Sequence, residues 1–262
     1  MEHEYKLYAC GTRGSIPVSG AEYAEFGGDT TCFVFSNGSH AVVVDCGTGL
    51  RRAYPILEPC SAVDVIFTHV HYDHVLGLMG PKTFPPTADV RFYGRFSQWF
   101  ETGNFDELFR TPFWPFVPQF KTYVDVHDEN SVDLQSGVKA ILCPANHPNI
   151  SSIVRIELPG KNICCAFDYE YDGFFPDHVA EGCDVMVYDG MFTKEQCITC
   201  KGWGHSCWNS GCAVAQRLGI PNIYITHHAP GHDDAKLRHM EKEAQAVRKN
   251  IRFLRDGDVI TL

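Results

Sequence analysis

Residues 68–74 read Thr-His-Val-His-Tyr-Asp-His, which places three imidazoles and a carboxylate within six positions. The run leaves an apolar segment, Val65-Ile66-Phe67, whose residues are those of a buried strand. Residues two apart in an extended backbone point to the same side, so His69 and His71 face one way. Asp73 and His74 follow at the turn, where they can face a second point nearby, and a short helical stretch over Asp73–Met79 comes next. Imidazole and carboxylate together suit zinc and other first-row divalent ions. Packing alone gives no reason for such a run. It fixes a strand, a turn and a helix around a metal-binding edge.

The 262 residues allow one large domain or two small ones, and no repeat of fixed period is visible. Strand-like runs recur at Tyr5–Cys10, Thr31–Phe35, Ala41–Asp45, Asp64–Thr68, Asp89–Tyr93, Val138–Cys143, Ser152–Leu158, Asn162–Phe167, Asp184–Tyr188, Asn222–Thr226 and Asp258–Leu262. Longer helical patterns cover Cys207–Leu218 and Asp234–Lys249. These elements predict a layered α/β domain in which two sheets face each other and helices cover the outsides. The whole chain, 1–262, reads as one domain with an aromatic and Pro-rich insertion at about 81–120. The insertion holds Phe84-Pro85-Pro86, Trp99-Phe100 and Thr111-Pro112-Phe113-Trp114-Pro115-Phe116-Val117-Pro118. Its aromatics can pack on the domain or a second subunit, or wall the site and stack on a substrate ring.

Charge narrows the partners. Twenty-two basic against 32 acidic residues leave a net −10, which disfavours long nucleic acid and anionic membranes. The longest apolar runs, Ala41-Val42-Val43-Val44 and Val185-Met186-Val187, are strand-sized rather than membrane-spanning. The first residues, Met-Glu-His-Glu-Tyr-Lys, carry no secretory pattern, so the expectation is a cytoplasmic protein whose twelve cysteines are reduced thiols. Cys197 and Cys200 with Cys207 and Cys212 leave three readings open: a structural zinc, incidental thiols or a redox switch. The adjacent Cys164 and Cys165 should point to opposite faces of a strand.

His-x-His-x-Asp-His resembles the signature of the metallo-β-lactamase superfamily, and other segments match that family's ordered pattern. Val43-Val44-Asp45-Cys46-Gly47-Thr48-Gly49 is similar to its first motif, an Asp on a strand before a Gly turn. Ala145-Asn146-His147-Pro148, Ala166-Phe167-Asp168-Tyr169-Glu170 and Tyr224-Ile225-Thr226-His227-His228 resemble the later ones. The resemblance spans roughly residues 8–234 and implies a four-layer αββα sandwich. It implies two divalent ions, with zinc as the default and manganese or iron as alternatives. His69, His71 and His147 would hold one ion; Asp73, His74 and His227 would hold the other; Asp168 would lie between them. Asp45 would orient a ligand histidine.

Gly11-Thr12-Arg13-Gly14-Ser15-Ile16-Pro17-Val18, Gly27-Gly28-Asp29-Thr30-Thr31-Cys32, Val187-Tyr188-Asp189-Gly190 and Gly202-Trp203-Gly204-His205-Ser206 resemble the branch of tRNase Z and the phosphoribosyl cyclic phosphodiesterases. That branch implies a proton-transfer pair, here Asp189 and His205. It implies hydrolysis of a phosphodiester by hydroxide held between the metals, with Asp73 among the catalytic residues and His205 as general acid. His228, Arg13 and Ser15 would contact phosphate oxygens. No basic arm of the tRNase Z kind is visible, so the expected substrate is small, most simply a cyclic nucleotide. A homodimer is implied by the family. The same scaffold also cleaves thioesters, lactones and β-lactams. A flavo-diiron oxidoreductase and a non-catalytic metal-bound scaffold or sensor are further alternatives. The former is disfavoured because those relatives usually carry an acidic residue where this chain has His71.

Overall fold

A computed structural model of the chain describes residues 4–80, 83–101, 103, 105–109, 114, 122–127, 129 and 131–262. Its strands in chain order are β1 (Lys6–Gly11), β2 (Cys32–Ser36), β3 (His40–Val44), β4 (Ala62–Ile66), β5 (Asp89–Gly94), β6 (Tyr123–Asp125) and β7 (Ser131–Asp133). They continue as β8 (Lys139–Pro144), β9 (Ser152–Leu158), β10 (Lys161–Ala166), β11 (Val185–Asp189), β12 (Asn222–Thr226), β13 (Ile251–Phe253) and β14 (Asp258–Thr261). The helices are α1 (Leu50–Leu57), α2 (Tyr72–Val75), α3 (Phe96–Trp99), α4 (Asp177–Ala180), α5 (Lys194–Thr199), α6 (Trp208–Arg217) and α7 (Asp234–Val247).

One sheet has the order β14-β1-β2-β3-β4-β5-β6 and the other β13-β12-β11-β10-β9-β8-β7. Each joins an antiparallel half to a parallel half, β3 to β6 in the first and β10 to β13 in the second. The two-residue period of a strand explains the layering. Phe33, Phe35, Val42, Val44, Ile163 and Cys165 meet in the core between the sheets. Their neighbours Val34 and Val43 turn outward beneath α1, and Cys164 and Ala166 turn outward beneath α6 and α7. Both faces of both sheets are therefore buried, and the architecture is the four-layer αββα sandwich. Cys164 and Cys165 point to opposite faces as expected.

The structure adds elements that the sequence pattern does not reveal. Strands β6, β7 and β13 have three residues each, too few for an alternation to register. Helix α1 contains Pro55, which ordinarily breaks a helix, yet Leu50, Ala53 and Leu57 line one buried face and burial prevails. The stretch expected as a helix over Asp73–Met79 is α2 followed by a tight 3₁₀ turn, Leu76–Met79.

In the insertion, Phe96, Phe100, Phe105 and Phe109 are buried against Phe67 and Phe92, with the Phe67 and Phe105 rings 4.8 Å apart. Removing each such side chain from water contributes about 1.5–3 kcal/mol, which accounts for their packing on the domain. Thr111-Pro112-Phe113 and Pro115-Phe116-Val117-Pro118 lie outside the described residues. Among the described residues, no helix is long and apolar enough to cross a membrane.

Candidate metal centre

The strand ends deliver the polar side chains to one edge of the sandwich. Asp45 follows β3, His69 and His71 follow β4, His147 follows β8, Asp168 follows β10, Asp189 ends β11 and His227 follows β12. The backbone at these exits is unusual. Ser15, Asp45, Asp168 and His227 have φ between 54° and 63°, in the left-handed region that side chains seldom adopt. Among the described non-glycine residues only Ser136 shares that conformation. Strained residues thus concentrate where side chains must turn inward.

His69, His71, His147 and Asp168 form one group of potential ligand atoms within 4.8 Å of one another, and Asp73, His74, Asp168 and His227 form a second. Asp168 belongs to both. Its Oδ1 lies 3.7 Å from His69 Nε2, while its Oδ2 lies 3.0 Å from His74 Nε2 and 3.1 Å from His227 Nε2. Asp73 Oδ2 is 3.3 Å from both His74 Nε2 and His227 Nε2. A divalent ion fits this donor set. The Nε2 atoms of His69, His74 and His227 and Oδ2 of Asp168 are buried without a hydrogen bond. Each atom left so costs about 1–3 kcal/mol unless something else satisfies it.

Electrostatics distinguish the two groups. Burial lowers the pKa of His69, His71 and His147, which keeps their rings neutral and open to a cation. Burial also opposes charge on His74 and His227, but the carboxylates of Asp168 and Asp73 outweigh it and raise both, His227 to about 10. Surroundings that favour a proton there equally favour a metal ion in its place.

Several ligand candidates are held from behind. Asp45 Oδ2 lies 2.7 Å from His74 Nδ1, and the carboxylate also accepts from the Thr68 amide and hydroxyl at 2.8 and 2.7 Å. The Ser15 amide donates to Asp73 Oδ2 at 2.7 Å. Gly14 lets the N-terminal loop reach the His227 ring, because a Cβ there would sit 2.3 Å from its Nδ1. His147 Nδ1 is 3.0 Å from the Gly204 carbonyl. Asp189 accepts from the amides of Asp168, Met191 and Ser206 and fixes His205, whose Nδ1 lies 2.9 Å from Asp189 Oδ2.

The N-terminal loop departs from expectation in part. Ser15 lines the pocket, but Arg13 and His228 are fully buried away from it. The Arg13 guanidinium donates to the carbonyls of Gly27, Ala229 and His232. His228 packs between Phe26 and Phe253 and its Nε2 bonds the Leu254 carbonyl. These two residues latch the first loop to the last, and neither is placed to touch a phosphate. Cys197 and Cys200 pack on Met191 and Phe192, and among the described residues the four cysteines do not assemble as a ligand group. None of the twelve cysteines is in a disulfide.

Sequence reasoning misses several contributors. Asn149 lines the cavity beside His71 and contacts its Nε2. Glu170 receives the amides of Gly202 and Gly204 and so shapes the loop that carries His205. Its spacing two residues after Asp168 was the available signal.

A family model described as "Beta-lactamase superfamily domain" matches residues 40–228. Ribonuclease BN of Escherichia coli O1:K1 / APEC is 22% identical over 256 residues, covering 78% of this chain and 83% of that protein. The metallo-beta-lactamase fold protein YhfI from Bacillus subtilis superposes with a TM-score of 0.74 at 20% identity over 98% of each chain. A diphosphatase from the PhnP family gives 0.71 at 18% identity over 98% of each chain.

Proposed function

The chain belongs to the beta-lactamase superfamily, and on that premise we propose that it is a dinuclear metal-dependent phosphodiesterase for a small ester, most simply a cyclic nucleotide. The observation that carries the reading is the His205–Asp189 pair standing beside two ligand groups that share Asp168. His69, His71, His147 and Asp168 would hold one ion, and Asp73, His74, His227 and Asp168 the other, with zinc the metal favoured by the donor set. When bound, such ions supply charge neutralisation for the phosphoryl oxygens and an activated water.

The chain's own residues supply the proton and the fit. His205 uses Nδ1 on Asp189, which leaves Nε2 to give a proton to the leaving oxygen as its bond to phosphorus breaks. Asp189 fixes the ring and stabilises the imidazolium that precedes the transfer. The pocket of about 410 Å³ is lined by Ser15, His71, Asp73, His147, Trp203 and His205 among others, and no Lys or Arg among the described residues lines it. A diester with one negative charge suits that lining better than a highly charged polymer. Two similar proteins are named a ribonuclease and a diphosphatase, which supports phosphoryl chemistry.

The test is turnover of a cyclic-nucleotide panel by metal-replete protein, read by product chromatography beside bis(p-nitrophenyl) phosphate and a lactone. Hydrolysis of a cyclic nucleotide, two metal equivalents per chain, and loss of turnover with weakened binding of one ion in Asp73→Ala are expected. Cleavage of the lactone alone, or full activity in Asp73→Ala or His71→Ala, would overturn the reading.

A further inference from the structure

Among the described residues eight large apolar side chains are left in water, and the two exposed rings of the pocket are among them. Of the eight such residues among those described, Tyr72 and Trp203 line the pocket, Ile150 lines the adjoining cavity and Ile16 follows Ser15 in the chain. Tyr72 is 71% exposed and Trp203 64% exposed. Exposed rings at the mouth of a polar cleft mark a surface kept for a ligand.

The placement of both rings is built rather than incidental. Tyr72 opens α2 between the ligand candidates His71 and Asp73, so its backbone is fixed by theirs. Trp203 sits between Gly202 and Gly204, whose φ values are +87° and +86°. The Glu170 carboxylate grips the amides on both sides, from Gly202 at 2.8 and 2.9 Å and from Gly204 at 2.9 Å. The Trp203 amide donates to the Cys200 carbonyl at 3.1 Å. Its indole meets the edge of Phe192 at 6.3 Å, and Phe192 in turn meets His205 at 5.7 Å. The loop that aims His205 therefore also holds an indole rigidly beside it. The described phenylalanines of the insertion pack in or on the core, while its Trp99 lines the adjoining cavity.

We infer that Tyr72 and Trp203 form a base-binding subsite that takes the nucleobase of a nucleotide whose phosphate lies at the ligand groups. The inference rests on the phosphodiester reading above and names the substrate class within it. A phosphodiester that carries an aromatic ring is, in biological chemistry, a nucleotide. Among the described residues no Lys or Arg lines the pocket, which favours one phosphate over several. Stacking needs only a π-face, so the subsite selects for a base more than among bases.

The test compares adenosine 5′-phosphate with ribose 5-phosphate, which share a phosphate and differ in the ring. Binding to zinc-loaded protein is measured by calorimetry. The adenine compound should bind at least about tenfold more tightly. Trp203→Ala should erase most of that preference and leave ribose 5-phosphate unchanged, while Trp203→Phe keeps it. Tyr72→Ala should weaken the adenine compound in the same sense. Equal affinities in the wild type, binding of neither compound, or a preference that survives both alanine variants would overturn the subsite. A wild type that prefers adenosine 5′-phosphate yet cleaves no phosphodiester would support the subsite and remove the hydrolytic reading.

Discussion

The two ligand groups share Asp168 but are built differently. Asp73, His74, Asp168 and His227 are all buried, and three carboxylates, counting Asp45, surround the two rings. In the other group His71 and His147 are half-buried and lean on an amide side chain and a backbone carbonyl. Depth and negative charge make the first group a holder of cations. On the proposed reading, the half-buried rings of the second group would meet the substrate. Metal should therefore load in two steps, with the deep group filling first.

Asp168→Ala breaks the comparison outright, since both groups lose a member. Metal content should drop below one equivalent and turnover should fall by roughly 10³-fold. Two retained equivalents by elemental analysis would show that Asp168 is not shared. His205→Ala removes the proposed proton donor and leaves both groups intact. Its rate should fall by about 10²-fold with metal content unchanged. A rate loss accompanied by metal loss would place His205 among the ligands instead.

Asp45→Asn and Gly204→Ala sharpen the comparison from opposite sides. Asp45→Asn weakens the direct hold on His74 and reaches His69 only through Thr68 Oγ1, so the deep ion should bind about 10–100-fold more weakly. In Gly204→Ala the new methyl would sit 2.1 Å from His147 Nδ1, so the ring must move. The mouth ion should then bind about tenfold more weakly while the deep ion keeps its affinity. Competition with a chromophoric chelator separates the two steps. If both variants weaken the same step, the division into deep and mouth groups is wrong.

The site was more legible in the sequence than the fold's margins were. His69, His71, Asp73 and His74 announce themselves because strand geometry and ligand chemistry coincide in one short run. His147 and Asp168 stand alone in theirs, and only the resemblance set them apart from ordinary loop residues. Arg13 misled because a conspicuous cation in a Gly-rich loop reads as an anion contact. The structure spends its donors on three carbonyls instead. Tyr72 and Trp203 escaped for a further reason. An aromatic residue's exposure depends on the whole fold, and no local pattern separates a displayed ring from a core one.

The smallest effect concerns histidines outside the ligand groups. His227 and His228 are neighbours in sequence with opposite surroundings. Carboxylates raise the first, whereas burial and then the Arg13 guanidinium pull the second down to about 3. His232, on the same latch, is pulled down to about 4 by burial, then by Lys236 and Arg13, with Asp233 opposing. A histidine depressed in the fold stabilises it fully above its unfolded value near 6.5 and loses that contribution as pH falls toward the folded value. His232 should therefore cost the fold about 1–2 kcal/mol between pH 7 and 5, since partial contact with solvent limits the loss. Urea unfolding of wild type and His232→Asn at the two pH values isolates this term, because the ligand histidines contribute equally to both proteins. The variant should lose less stability on acidification. An identical loss in the two proteins would mean that His232 accepts its proton in the fold as readily as in water, and the latch would then owe nothing to a neutral ring.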